Sequence, residues 1–117
     1  MITPAGNLRV FLVAAPVDFR KGMDGLAGVV ASAFGHDPYD GSIYVFRSRR
    51  ADRLKLIIWD GTGMILLTKR LDGGRFVWPK PSAEGITLTR IQFDALFQGV
   101  DWREIAAAAD PRKPSFI

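Results

Sequence analysis

Strand-like and helix-like spacings of apolar residues follow one another in the first third of this sequence. Residues 8–14 are almost continuously apolar, which predicts a central strand covered on both faces. Between residues 26 and 34 the apolar positions recur at helical spacing, which predicts a helix. Asp24 is placed to act as the N-cap of this helix, and Gly35 provides the left-handed residue at which it ends. We therefore expect a strand followed by a helix.

Three further strands are predicted at 42–47, 54–59 and 64–71. The last two are joined by the Asp-Gly-Thr-Gly turn at 60–63, a hairpin signal because glycine readily adopts the positive φ of tight turns. Side chains alternate between the two faces of a strand. The even-numbered residues 54–58 therefore share an apolar face, which we expect to meet the helix, and the opposite face is expected to be half-exposed.

A second helix is predicted after a proline-rich linker. Thr89 and Gln92 have the spacing of a capping box, and Gly99 is placed to end the helix. The predicted fold class is α+β, an antiparallel β-meander with two main helices in a single domain. This domain spans 1–105, and the tail 106–117 is expected to fray.

Composition narrows the class of protein. Of the 117 residues, 48% are hydrophobic, enough to build one core. The lack of cysteine excludes disulfides, thiolate catalysis and cysteine-ligated zinc. The apolar run 10–17 contains Pro16, is too short to span a membrane, and is followed rather than preceded by positive charges, unlike a secretion signal. We therefore expect a cytoplasmic protein without a membrane segment.

Positive charge is concentrated in one segment. Residues 47–80 contain nine of the sixteen Lys and Arg residues and three of the twelve Asp and Glu residues, a net charge of +6, whereas the remaining 83 residues sum to −2. A local positive field attracts polyanions, because each contact between a cation and a phosphate releases condensed counterions. The alternative is a solvated, arginine-rich hairpin whose charge keeps a sheet edge soluble.

A basic pair, Arg20 and Lys21, lies between the first strand and the first helix. Side chains and free amide groups ahead of a helix can bind a phosphate together. The alternative is that Asp18 caps the turn and pairs with Arg20, which would leave an ordinary solvated connection.

No catalytic or metal site is predicted. Asp60 lies at a strand end, where some nucleases hold a metal ion, but no second carboxylate is paired with it. Its position in the hairpin turn is enough to account for an aspartate there. His36 is the single histidine and is expected on the surface at a helix end, so no catalytic triad can be assembled around it. We predict no enzymatic activity and no cofactor.

Aromatic residues are interleaved with the arginines. Phe46, Trp59, Phe76 and Trp78 can stack on nucleobases or on guanidinium groups. The simpler interpretation is that each belongs to the hydrophobic core.

Six motifs occur in one order along the chain: DFRKG at 18–22, IYVF at 43–46, RSRRADRLK at 47–55, WDGTG at 59–63, KRL at 69–71 and RFVWP at 75–79. Together they resemble the second-open-reading-frame accessory proteins (TnpB) of the insertion sequence 66 (IS66) transposon family. The resemblance implies a role in bacterial transposition beside a separate, larger transposase that carries the strand-transfer acids. It assigns no catalytic residue to this chain.

Two functions follow from the residues and the resemblance together. The first is an accessory factor that binds non-specific or transposon-end DNA. Its candidate phosphate-binding residues are Arg20, Lys21, Arg47, Arg49, Arg50, Arg53, Lys55, Lys69, Arg70 and Arg75. The alternative is a protein–protein adaptor that docks on the transposase or on the first-frame protein of the same element.

Overall fold

The protein folds into a five-stranded mixed sheet with two helices. The structure is a computed structural model that describes residues 8–81 and 84–105. The elements are β1 (Val10–Val13), α1 (Met23–Phe34), β2 (Ile43–Arg47), β3 (Arg53–Trp59), β4 (Met64–Arg70), β5 (Gly85–Leu88) and α2 (Arg90–Phe97). The strands are ordered β4-β3-β2-β1-β5 across the sheet. The predicted α+β class is confirmed, and so is the antiparallel run from β2 through β3 to β4.

Two features of the sheet were not predicted. β1 runs parallel to β2, because α1 carries the chain back across the sheet between them. β5 pairs antiparallel with β1 and is only four residues long, too short for a clear alternating pattern. Gly85 is needed at the start of β5, since a Cβ there would lie 2.5 Å from the Phe11 ring.

Both faces of the sheet are covered by apolar side chains. On one face, Leu54, Leu56 and Ile58 belong to a core that includes Leu96 of α2 and Trp102. The expectation that these three residues meet the first helix is therefore wrong. Alternation instead directs the odd-numbered residues of β3 toward α1.

The opposite face carries the core against α1. Ile57 of β3 packs there with Tyr44 and Phe46 of β2 and with Leu26 and Val30 of the helix. All five side chains are fully buried. β1 contributes buried residues to both cores, which confirms the prediction that the first strand is covered on both faces.

The helix ends follow local sequence signals in three of four cases. α1 ends at Gly35, whose φ is 66°, as predicted. Its N-cap is Gly22 rather than Asp24, which lies inside the first turn, so that prediction is wrong. In α2 the capping box is confirmed: the Thr89 N–H donates to Gln92 Oε1 at 2.8 Å, and the Gln92 N–H donates to Thr89 Oγ1 at 3.1 Å. Past its C-cap, Gly99 has a φ of 79°.

The described residues contain no helix that is both long and apolar enough to cross a membrane. The predicted frayed tail, 106–117, lies outside them.

Candidate nucleic-acid interface

Strand directions bring the basic segments to one end of the sheet. β1, β2 and β4 finish at this end, and β3 and β5 start there. The connections that leave these strands therefore meet. The Val17 N–H donates to the Arg47 carbonyl at 3.1 Å, and the Phe76 N–H donates to the Ala51 carbonyl at 2.7 Å. Segments 14–22, 48–52 and 71–76 thus form one surface.

Seven of the ten predicted phosphate-binding residues are exposed on this surface. They are Arg20, Lys21, Arg49, Arg50, Arg53, Arg70 and Arg75. We call these seven residues, and the end of the sheet at which they lie, the basic end. Arg53 and Arg70 are direct cross-strand partners. Two like charges opposite each other destabilise a sheet. An anion bound between or near them would offset that repulsion.

Arg20 is the member of the basic end that has an ion-pair partner. Its Nη2 donates to Asp18 Oδ2 at 2.7 Å, and its backbone N–H donates to Asp18 Oδ1 at 3.0 Å. These hydrogen bonds hold the pKa of Asp18 well below its usual range and raise the pKa of Arg20. The Asp18–Arg20 pairing considered from the sequence is therefore present. Within 8–81 and 84–105, the other six cations form no salt bridge.

Arg47 is buried, with 9% of its surface exposed. Its Nε donates to the Ala14 carbonyl at 3.2 Å, and its Nη1 donates to the carbonyls of Arg49 at 3.1 Å and Ser48 at 3.4 Å. Burial lowers the pKa of this guanidinium. The geometry therefore gives Arg47 a positioning role between two connections, and we leave it out of the candidate surface.

Two lysines are also engaged inside the protein. Lys55 Nζ donates to the carbonyls of Phe19 at 2.7 Å and Lys21 at 2.9 Å, which ties β3 to the segment before α1. Lys69 Nζ donates to the Phe97 carbonyl at 2.6 Å and lies 4.3 Å from the centre of the Phe97 ring. A cation at the C-terminus of a helix is favourable. Both lysines are half-buried and stabilise the fold.

Of the four aromatic residues, Phe46, Phe76 and Trp78 are buried or half-buried, and Trp59 lies far from the arginines. Phe46 and Phe76 are buried in the core, as expected. Trp78 is half-buried, and its indole N–H donates to the Val13 carbonyl at 2.8 Å. Trp59 ends β3 six residues after Arg53, roughly 20 Å away along the strand. It packs edge-on against Tyr39, with ring centres 5.4 Å apart, and is therefore remote from the basic end.

Acidic groups lie at the opposite end of the sheet. Asp60 Oδ1 accepts hydrogen bonds from the backbone N–H groups of Thr62 and Gly63, both at 2.9 Å, and these bonds lower its pKa. Asp60 therefore acts within its turn.

His36 is half-buried against Phe11, with ring centres 4.7 Å apart, rather than on the surface. No group of three His, Asp or Glu residues able to hold a metal occurs in the described part of the chain.

One feature of the basic end has no signal in the sequence. Arg49 meets the segment before α1 across a shallow, open cavity of about 440 Å³. The cavity is lined by Pro16, Val17, Asp18, Phe19, Arg20 and Arg49. These residues come together because β1 and β2 are adjacent and parallel, a pairing that the sequence pattern did not predict.

The fold and this surface define a small α+β protein with a cationic end. The sequence model of the family described as "IS66 Orf2 like protein" matches residues 8–107. Uncharacterized protein y4jC of Sinorhizobium fredii (strain NBRC 101917 / NGR234) is 46% identical over 105 residues, which cover 90% of each chain. Uncharacterized protein y4hO of the same strain is 39% identical over 113 residues, 97% of this chain and 98% of the relative. No solved structure matches.

This chain belongs to the IS66 Orf2-like family, which confirms the resemblance seen in its motifs. The family implies a role in the transposition of an insertion sequence, as an accessory protein rather than a member of a known catalytic family.

Proposed function

We propose that this protein is an accessory factor that binds duplex DNA during transposition, through phosphate contacts made by its basic end. One observation carries the proposal. Seven cations from separate segments are exposed on one surface, and six of the seven form no salt bridge among the described residues. Arg53 and Arg70 lie on adjacent strands, and the other five cations lie in the connections that meet at the same end of the sheet, so the positive field is concentrated there.

The arrangement favours phosphate contacts over base contacts. Phosphate contacts fix the position of a protein on DNA, whereas base contacts specify sequence. Groove reading commonly uses a helix that presents side chains to base edges. α2 begins at the opposite end of the sheet, beside the end of β5, and packs its Leu96 into the core. We therefore expect weak binding with little sequence preference.

The adaptor function has one observation in its favour. β4 is an edge strand, and its Ile65 and Leu67 are 40% and 38% exposed. Exposed apolar residues on an unpaired strand can receive another protein. The transposase or the first-frame protein of the same element would be the partner in that case.

Fluorescence anisotropy with a labelled duplex at graded salt concentrations tests the proposal. If four to six phosphates are contacted, log K should fall against log salt with a slope of about −4 to −5. Absence of binding at low salt, at a protein concentration of about 100 μM, would overturn the proposal and favour the adaptor, because non-specific DNA binding ordinarily reaches this affinity.

A triple variant locates the contact surface. Arg49→Ala, Arg50→Ala and Arg53→Ala together should lower affinity at least about tenfold and flatten the salt slope by about two to three. The charge control carries alanine at Arg9, Arg90 and Arg103, exposed arginines outside the basic end, of which Arg9 and Arg103 are paired with Asp40 and Asp101. It removes the same charge, and we expect a much smaller loss. Equal losses in both variants would show that net charge, rather than this surface, governs binding.

A further inference from the structure

The cavity at the basic end has apolar, cationic and anionic groups in its walls. Pro16, Val17 and Phe19 are apolar, Arg20 and Arg49 are exposed cations, and the carboxylate of Asp18 is paired with Arg20. Duplex phosphates are bound by cations and hydrogen-bond donors, so the apolar part of the cavity has no role in the contacts proposed above. Single-stranded nucleic acid, by contrast, is bound by aromatic side chains set in a cationic groove.

Hydrogen bonds link the residues in the walls of the cavity, and the bond from Arg47 to Ala14 is buried. Arg47 joins the Ala14 carbonyl on one side to the Arg49 carbonyl on the other. Lys55 Nζ donates to the Phe19 carbonyl and lies 4.9 Å from the centre of the Phe19 ring. Arg20 is held by Asp18 at the same cavity. A site fixed before binding loses less conformational entropy when its ligand arrives.

We propose that this cavity receives one unpaired nucleobase of DNA. The Phe19 ring provides the stacking surface, and Arg49 and Arg20 bind the flanking phosphates. The cavity volume of about 440 Å³ lies within the usual range for small-ligand sites, about 300–1,000 Å³. This inference rests on the proposed DNA binding and adds a substrate class: DNA with an unpaired nucleotide, such as a frayed or branched end.

Three labelled probes test the inference. The first is a flush duplex, the second is the same duplex with one unpaired 2-aminopurine nucleotide, and the third has an abasic nucleotide at that position. Stacking of one base on an aromatic side chain should give about tenfold tighter binding of the second probe than of the third. The 2-aminopurine fluorescence should be quenched in the complex. The abasic probe controls for the flexibility that an unpaired nucleotide introduces.

Variants at Phe19 assign the preference to the cavity. Phe19→Ala should reduce the ratio of the two affinities to below about twofold, and Phe19→Tyr should retain it, because tyrosine keeps a stacking ring. Circular dichroism checks folding, and Phe19→Leu replaces the alanine variant if that variant unfolds. Trp59→Ala is the matched control, since Trp59 lies at the other end of β3.

The outcomes separate the two proposals. Equal affinity for the base-containing and abasic probes overturns the inference and leaves duplex binding intact. A preference that survives both Phe19→Ala and Phe19→Leu also overturns it, because the base would then bind elsewhere. Failure to bind any probe overturns the inference together with the proposed function.

Discussion

The guanidinium of Arg47 donates from Nε to the Ala14 carbonyl oxygen across 3.2 Å, joining residues that are 33 positions apart. Ala14 follows β1, and Arg47 ends β2, so this bond fastens the two parallel strands at the basic end. An arginine from the most basic segment of the chain is thus used as a structural clamp. Its neighbours Arg49 and Arg50, in the connection that follows, are exposed.

Replacing Arg47 should destabilise the protein. Arg47→Met keeps apolar bulk but removes the donors to the carbonyls of Ala14, Ser48 and Arg49. Hydrogen bonds from a charged group contribute about 1.5–3 kcal/mol, and a buried acceptor left without a donor costs about 1–3 kcal/mol. We expect the free energy of unfolding to fall by about 2–3 kcal/mol, measured by urea denaturation.

Arg49→Ala is the matched control for this prediction, because Arg49 is exposed and its side chain makes no hydrogen bond within the described residues. Its stability should stay within about 0.5 kcal/mol of the wild type. An Arg47→Met variant with unchanged stability and impaired DNA binding would contradict the structural role of Arg47 and would show that Arg47 belongs to the phosphate-binding surface.

Stability should decline in acid partly through Asp101. The side-chain hydrogen bond from Arg103 lowers the pKa of Asp101 to about 2. A carboxyl group with a depressed folded pKa stabilises the fold above its unfolded pKa, about 4, and that contribution is lost as pH falls toward 2. Asp18, paired with Arg20, acts in the same direction. Urea midpoints should therefore be insensitive to these pairs between pH 5 and 8.

Asp101→Asn should flatten the decline below pH 4, because the asparagine has no proton to bind. Asp72→Asn, an exposed acid outside the described ion pairs, is the control and should preserve the wild-type profile. If both variants give the same acid profile as the wild type, the Asp101–Arg103 pair contributes nothing measurable, as is common for exposed pairs.

The isolated protein should not cut DNA. Asp60 is the acid that a nuclease interpretation would use, and its Oδ1 already accepts bonds from the Thr62 N–H, the Thr62 hydroxyl and the Gly63 N–H. Two-metal hydrolysis needs carboxylates that clamp a pair of ions. Supercoiled plasmid incubated with magnesium or manganese should remain intact. Cleavage that disappears in Asp60→Asn would show the prediction to be wrong.

Local signals predicted the ends and order of most elements. The capping box at Thr89 and the left-handed Gly35 act within a few residues, so their effect can be recognised without knowing the rest of the fold. β5 could not be predicted in this way, because its pairing with β1 joins residues far apart in the chain. The N-cap of α1 was misplaced because Gly22 carries no side chain to signal it.

The sequence by itself determined the α+β class, the meander and the local excess of positive charge, because each depends on residue type and short-range spacing. The tertiary structure decided which cations are exposed. Arg47 and Arg49 are two positions apart and chemically identical, yet one is buried against backbone carbonyls and the other is exposed beside a cavity. That difference depends on the parallel pairing of β1 and β2, a long-range contact that residue type does not encode locally.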